Sequence, residues 1–135
     1  MLESSRIVVF PIAFMAIFTA PLVEEVIYRG ILYSSLQRKV GIVYAVIIVT
    51  LLFGLVHVPQ YSKNFSPDFS ALIPLFLLSL TLTLIRVRTK NLLPCIVLHT
   101  IFNTVGSLSI ILEPYLRNLS EPNQTPTAFI FHLFK

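Results

Sequence analysis

Three short groups of polar residues in this sequence have types and spacings that suit acid–base chemistry. They are two adjacent carboxylates with a guanidinium four residues later, an isolated imidazole, and an imidazole with a carboxamide four residues later: Glu24, Glu25, Arg29, His57, His99 and Asn103. Carboxylates and imidazoles take up and release protons, and amides donate hydrogen bonds to developing negative charge. The set therefore predicts a hydrolytic site, provided that the fold brings the groups together.

The spacing within the first group predicts different roles for its two glutamates. Glu25 and Arg29 are four residues apart, so on a helix they share a face and can form an ion pair. Glu24 is rotated by about 100° and points elsewhere. The pattern predicts a structural ion pair between Glu25 and Arg29 and leaves Glu24 as a free carboxylate. The alternative is that all three lie at a water interface at a helix end.

The second and third groups are each ambiguous when taken alone. His57 ends an apolar run just before Pro59, which also suits a histidine at a membrane interface. His99 and Asn103 share a helix face, and the alternative for them is a hydrogen bond between helices. Only their combination with the carboxylates favours a catalytic function.

Two arrangements of these groups would hydrolyse a peptide bond. In the first, Glu24 is the general base on a water molecule that His57 helps to hold, and the oxyanion is stabilised by His99 and Asn103. In the second, a zinc ion with a bound water is held by Glu24, His57 and His99, since two histidines and a carboxylate form an accepted catalytic zinc set. The residues alone do not decide between them.

The composition places these groups in a membrane protein. Of 135 residues, 56% are hydrophobic and only 12% are charged, whereas soluble domains carry about 25% charged residues. Disorder is excluded because it requires low hydrophobicity, and a single cysteine excludes a disulfide scaffold. The net charge of +4 comes from basic residues clustered between apolar runs, which favours membrane flanks over nucleic acid.

The apolar runs predict an all-α, polytopic membrane helix bundle with about four transmembrane helices. The predicted segments run from about Ile7 to Val23 with a helical continuation to Gln37, and over Ile42–Val58, Ala71–Ile85 and Leu92–Leu112. No strand-like alternation is present, and helices satisfy their own backbone groups in lipid. We expect a core over residues 1–112 and a polar tail over 113–135 with an interfacial segment near its end.

Basic residues predict the orientation of this bundle. They cluster in the linkers 37–41 and 86–91, which the positive-inside rule places in the cytoplasm. Helix counting then puts Glu24 and His99 nearer the cytoplasmic side and His57 nearer the other. The site can converge only if the second helix ends early, near Pro59, or if the first helix is shifted or tilted.

Taken together and in order, the three groups resemble the motif set of the CPBP intramembrane proteases. That family joins the type II CAAX prenyl endopeptidases with bacteriocin-processing and immunity proteins. The matching motifs are Glu24-Glu25-x-x-x-Arg29, Phe53-x-x-x-His57 and His99-x-x-x-Asn103. The resemblance covers about residues 21–112, and the ordered set is far more specific than any one motif.

The resemblance implies an integral membrane endopeptidase of a bacterial plasma membrane or an organellar membrane. It implies that Glu24 and His57 activate water, that His99 and Asn103 stabilise the oxyanion, and that the substrate is a membrane-associated peptide, such as a prenylated C-terminus or a leader peptide. Family names often include the word metalloprotease, and we keep Zn²⁺ as an alternative that the mechanism does not require. Family members usually have further N-terminal spans, so we expect a reduced member or a truncated core.

Two non-peptidase functions are also compatible with the sequence. A non-catalytic membrane scaffold or bacteriocin-immunity protein would use the same fold without the chemistry. A transporter or proton relay would use Glu24, His57 and His99 as intramembrane ionisable groups. The lack of a visible inverted repeat disfavours a lone transporter. The sequence does not indicate an oligomeric state.

Overall fold

The chain is almost entirely helical in the computed structural model, which describes residues 11–63, 66–67 and 69–120. Residues 11–14 are helical and lead into the segments Met15–Thr19 (π), Ala20–Glu25 (α), Val26–Leu32 (π), Tyr33–His57 (α), Phe69–Thr89 (α) and Leu93–Ser120 (α). A 3-10 turn, Val58–Tyr61, precedes a short antiparallel pairing of Ser62–Lys63 with Ser66–Pro67. Apart from this pairing, the all-α prediction is confirmed.

Gly41 divides the long helical run that starts at residue 11. Its φ of 84° and ψ of 169° lie outside the helical region, and a positive φ is readily adopted only by glycine. We therefore name four helices: α1 over 11–40, α2 over 42–57, α3 over Phe69–Thr89 and α4 over Leu93–Ser120. The break falls in the first predicted basic linker.

A second tight turn separates α3 from α4. Lys90 has a φ of 54°, and the side chain of Asn91 accepts a hydrogen bond from the Leu93 amide at 3.0 Å. This contact satisfies one of the amide groups that the first turn of a helix leaves without a partner. The predicted linker 86–91 is correspondingly shorter, because α3 continues through Arg86 and Arg88 to Thr89.

The ends of α3 and α4 differ from the prediction. The third segment is predicted over Ala71–Ile85, whereas α3 covers Phe69–Thr89. The helix continues past Arg86 because long arginine side chains can extend their charge to water while the backbone stays helical. The fourth was expected to end at Leu112, whereas α4 reaches Ser120. The first eight residues of the predicted tail are therefore helical, and residues 121–135 lie outside the described part of the chain.

Two compact units make up the chain, Met1–Asn103 and Thr104–Lys135. The second contains, in its described part, the C-terminal portion of α4. The first holds every predicted site residue and two apolar clusters. One cluster joins α1 and α2 through Tyr33, Ala45, Val46 and Val49, with Val87 of α3 packed against it. The other joins α3 and α4 through Leu78, Leu82 and Cys95.

The polarity of the first unit is that of helices in lipid. Its buried polar side chains are Glu25, Arg29, Ser79, Thr83 and His99, while large apolar side chains are exposed along α1, α2, α3 and α4. Two described stretches, Pro11–His57 and Leu72–Thr89, are long and apolar enough to cross a membrane, and Leu93–Ser109 is a shorter apolar helix. These features support the prediction of a membrane protein.

Candidate active site

A buried ion pair lies at the centre of the first unit. Arg29 Nη1 donates to Glu25 Oε1 at 2.8 Å, and both side chains are fully buried. The pair predicted from the four-residue spacing is therefore present. Glu25 ends the α-helical segment of α1, and Arg29 lies in the π-helical segment that follows. Such π-helical turns are rare and occur frequently at functional sites.

His99 of α4 meets the carboxylates of α1. Its Nδ1 lies 2.9 Å from Glu25 Oε1, and its Nε2 lies 3.7 Å from Glu24 Oε2. Because a carboxylate accepts, Nδ1 carries the proton in the first contact. The second distance is longer than a hydrogen bond. His99 is only 3% exposed, whereas the Glu24 side chain is 28% exposed, so Glu24 is more accessible than the fully buried Glu25.

The two carboxylate oxygens of Glu25 differ in their hydrogen bonds. Oε1 accepts from both Arg29 and His99. Oε2 is buried and makes no hydrogen bond within the described part of the chain. A buried acceptor without a donor is costly. Glu25 therefore does more than pair with Arg29, because it also fixes the ring of His99.

Phe53 connects the three motifs. Its ring lies 4.8 Å below the Arg29 guanidinium carbon and 5.8 Å from the ring of His99, in an edge-on arrangement. On the same helix, the His57 ring lies 4.7 Å away. Cations bind favourably over aromatic faces, so Phe53 adds an aromatic contact to the polar partners of Arg29. The sequence marks Phe53 as a motif residue without indicating this role.

His57 lies beside the carboxylate cluster and is not bonded to it. Its Nδ1 donates to the Phe53 carbonyl at 2.7 Å, which leaves Nε2 as the acceptor of a neutral ring. Within the described residues, it forms no ion pair with Glu24. The helix α2 ends at His57 and a 3-10 turn follows. This end lies within one residue of the predicted end of the second segment at Val58, and the convergence of His57 with Glu24 stays a prediction.

The side chain of Asn103 forms a hydrogen bond with the backbone of α1. Its Nδ2 donates to the Ala16 carbonyl at 2.8 Å. The Ala20 amide donates to Met15 instead, in the π-helical register, and Pro21 has no amide hydrogen to offer. The carbonyl is therefore freed from its usual partners, and Asn103 satisfies it from the neighbouring helix, as polar side chains do in membrane bundles.

The zinc alternative finds no assembled ligand set here. Within the described part of the chain, no three His, Cys, Asp or Glu side chains are grouped so as to hold a metal ion. The residues proposed as ligands, Glu24, His57 and His99, do not fit a metal ion in this arrangement.

Two hydroxyl residues of α3 complete the surroundings of Arg29, and the sequence prediction missed both. Arg29 Nη2 donates to the Ser79 carbonyl at 2.9 Å and to Ser79 Oγ at 2.8 Å. Arg29 Nε donates to Thr83 Oγ1 at 3.3 Å. The available signal was a pair of hydroxyls four residues apart on an apolar helix. That signal is weak, because serine and threonine are common in membrane helices.

Comparison with known proteins gives two matches. Residues 6–105 match the family described as Type II CAAX prenyl endopeptidase Rce1-like. A protein of Bacillus subtilis (strain 168) named "Putative membrane peptidase YdiL" is 29% identical over 110 residues, which cover 82% of this chain and 41% of that protein. The aligned region thus spans less than half the length of this relative. No solved structure matches the chain.

Proposed function

Since the chain belongs to the Rce1-like type II CAAX prenyl endopeptidase family, we propose that it forms the core of an intramembrane endopeptidase. The resemblance to the CPBP proteases, which rested on three motifs, is confirmed by this membership. The observation that carries the proposal is the meeting of Glu24 and Glu25 with His99 inside an otherwise apolar bundle. Ionisable residues are expensive within membrane helices and usually mark function.

In this proposal Glu24 is the general base. Its side chain is 28% exposed, which gives the attacking water access in this proposal, while Arg29 and the Nδ1 of His99 both bond Glu25. Glu24 takes a proton from the water as the water oxygen bonds to the peptide carbonyl carbon. The proton then passes to the leaving amide nitrogen as the carbon–nitrogen bond breaks, which releases a carboxylic acid and an amine.

The oxyanion is stabilised by His99 and Asn103. When both ring nitrogens are protonated, His99 donates through Nδ1 to Glu25 and through Nε2 to the oxyanion. Asn103 lies one helical turn further along α4, and its Nδ2 turns from the Ala16 carbonyl to the substrate oxygen. Catalytic hydrogen bonds often form only once substrate is bound. His57 Nε2 helps to orient the attacking water.

The proposed substrate is a peptide that reaches the site from the membrane. A prenylated CAAX-type C-terminus is the first candidate, because the matched family is described by that activity, and a leader peptide is the second. The lipid anchor would partition into the bilayer beside the exposed apolar faces of the helices, which concentrates the peptide near the bundle. Neither nucleic acid nor a soluble partner is required.

The proposed topology has four membrane passes. A helix of 47 residues, as in Pro11–His57, would be about 70 Å long if straight, more than twice a hydrocarbon core of about 30 Å. The break at Gly41 divides it into two passes, α1 and α2. Val87 packs against the cluster of Tyr33, Ala45, Val46 and Val49, which favours both basic turns at one end. We place residues 37–41 and 86–91 in the cytoplasm of a bacterium.

The test is cleavage of a farnesylated CAAX peptide by protein in proteoliposomes. Replacing Glu24 by glutamine should lower kcat by at least about 100-fold, since general base catalysis contributes about 10²–10⁴. Thr81→Val is the control, because Thr81 is exposed and bonds only its own helix, at Leu77. Wild-type cleavage that is unchanged by E24Q would refute the general base.

The same variant separates an enzyme from a scaffold or immunity protein of the same fold. A scaffold predicts no cleavage of the farnesylated peptide or of leader peptides by the wild type. It also predicts that E24Q preserves any protective phenotype in cells. An enzyme predicts that cleavage and phenotype are lost together, while α-helical content and detergent stability stay close to those of the wild type.

A further inference from the structure

We propose that Ser79 and Thr83 of α3 are positioning residues for the reaction and that they act through Arg29 and Glu25 on His99. This inference rests on the proposed function. The helix α3 carries none of the three motifs, yet among the described residues it accepts three of the four hydrogen bonds that the Arg29 side chain donates. The fourth goes to Glu25.

The guanidinium of Arg29 is held by all three of its nitrogens. Nη1 donates to Glu25, Nη2 to the backbone and hydroxyl of Ser79, and Nε to Thr83. The ring of Phe53 closes one face. Since a guanidinium is planar and rigid, these contacts fix its rotation as well as its position. An ion pair with Glu25 alone would leave that rotation open.

Ser79 and Thr83 together accept hydrogen bonds from two nitrogens of Arg29. The Thr83 hydroxyl donates its one hydrogen to the Ser79 carbonyl at 2.8 Å, so Thr83 Oγ1 presents only lone pairs to Arg29 Nε. Both side chains are fully buried. Water therefore has no access to either hydroxyl, and the backbone of α3 orients the hydroxyl of Thr83.

The position of Arg29 determines which oxygen of Glu25 faces His99. Arg29 and His99 share Glu25 Oε1, at 2.8 and 2.9 Å, while Oε2 has no donor in the described part of the chain. A guanidinium released from α3 can turn to bind both carboxylate oxygens, as arginine often does. That rotation would pull Oε1 from His99 Nδ1 and release the imidazole beside Glu24.

The helix α3 offers a matched control for this relay. Thr81 and Thr83 are two residues apart, and each hydroxyl donates to the carbonyl four residues earlier, at 2.8 Å in both cases. They differ in direction, because Thr81 is exposed and Thr83 faces Arg29. Replacing either by valine removes the same helix bond, but only Thr83→Val removes an acceptor from Arg29.

The experiment compares Thr83→Val, Ser79→Ala, Thr81→Val and the conservative Thr83→Ser in proteoliposomes with a farnesylated CAAX peptide. We expect Thr83→Val and Ser79→Ala to lower kcat by about 10- to 100-fold, as small displacements of catalytic groups do. KM should change by less than about twofold. Thr83→Ser keeps the hydroxyl and should retain most of the activity, while Thr81→Val should match the wild type.

A second readout does not depend on turnover. In protein labelled with ¹⁵N-histidine and held in micelles, the proton between His99 Nδ1 and Glu25 should give a downfield resonance, which His99→Gln assigns by its absence. Thr83→Val should remove or shift this resonance, whereas Thr83→Ser and Thr81→Val should preserve it. A Thr83→Val protein that is less stable but keeps both kcat and the resonance would overturn the positioning role.

The two readouts also separate this inference from the proposed function. If the wild type cleaves no peptide but Thr83→Val still loses the resonance, the peptidase proposal fails and the coupling of α3 to His99 stands. If the wild type cleaves the peptide and neither Thr83→Val nor Ser79→Ala changes kcat or the resonance, the peptidase stands and the coupling is refuted.

Discussion

Replacing Arg29 by methionine should destabilise the bundle more than any comparable change at an exposed arginine. Methionine keeps most of the apolar stem that packs over Phe53 but removes the charge and all of the hydrogen bonds. Glu25 would then be a buried carboxylate that keeps its hydrogen bond with His99 but has lost the guanidinium. The acceptor groups of Ser79 and Thr83 would also lose their donor.

The magnitude follows from burial. Removing one partner of a buried ion pair costs about 3–5 kcal/mol, because the other charge stays without compensation. Four lost hydrogen bonds from a charged donor, at about 1.5 kcal/mol each, would give about 6 kcal/mol. The contact of Thr83 with the Ser79 carbonyl survives the change, and His99 still pairs with Glu25. We therefore expect about 3–5 kcal/mol for Arg29→Met.

A double-mutant cycle isolates the part that comes from the stranded charge. Glu25→Gln combined with Arg29→Met removes both charges, so the double variant should be more stable than Arg29→Met alone by at least about 1 kcal/mol. The assay is reversible unfolding in mixed micelles, followed by loss of helical circular dichroism. Arg88→Met is the control, because Arg88 is exposed at the end of α3, and no measurable loss is expected there.

Two results would refute this reasoning. The first is an Arg29→Met variant no less stable than Arg88→Met, which would mean that the guanidinium is not buried against its partners. The second is a double variant that loses the full sum of the two single changes. That additivity would show that Glu25 and Arg29 do not interact in the folded protein.

Two further predictions concern helix contacts. A Cβ at Gly54 would overlap the Phe76 ring, whereas one at Gly106 meets no described atom within 4 Å. Gly54→Ala should therefore lower the free energy of unfolding by about 1–3 kcal/mol, and Gly106→Ala should not. The loss at Gly54 should be relieved by Phe76→Leu, and equal losses at the two glycines would contradict the packing. Asn103→Ala should cost about 1 kcal/mol because the Ala16 carbonyl loses its donor, and the cost should shrink in a Pro21→Ala background that restores a backbone amide. An unchanged cost there would show that proline does not create the need for Asn103.

Local features of this protein were predictable from the sequence because they depend on spacing along one helix. The pair of Glu25 with Arg29 follows from four-residue periodicity, and the apolar runs predict the four helical segments. The break between the first two segments falls at Gly41, where a positive φ favours glycine. The ends were less predictable, since hydropathy falls at Arg86 while the helix continues to Thr89.

Contacts between helices could not be predicted in the same way. His99 bonds a residue 74 positions earlier in the chain, and Arg29 bonds residues 50 and 54 positions later. The motifs predict that Glu24 and His99 belong to one site, but they do not show that Glu25 is the carboxylate within hydrogen-bond distance of the imidazole. Hydroxyl residues on α3 carry no periodic signal that separates Thr83 from Thr81.

Two predicted roles stay predictions, and the structure shows what else the same residues do. His57 is predicted to hold the catalytic water, and its Nδ1 bonds the Phe53 carbonyl while Nε2 is left for that task. Asn103 is predicted to stabilise the oxyanion, and its amide bonds a carbonyl that a π-helical turn and Pro21 leave open. Prolines inside membrane helices free carbonyl groups, so a carboxamide on a neighbouring helix has a structural use beside any catalytic one.

The most direct test of a glutamate-activated water is the origin of the oxygen in the product. A single turnover of excess wild-type protein on a farnesylated CAAX peptide in H₂¹⁸O should place one ¹⁸O atom in the new carboxyl group, as read by mass spectrometry. Glu24→Gln should yield no product in the same time. A product that carries only ¹⁶O would show that a protein nucleophile attacks first, and it would contradict the mechanism built on Glu24 and His99.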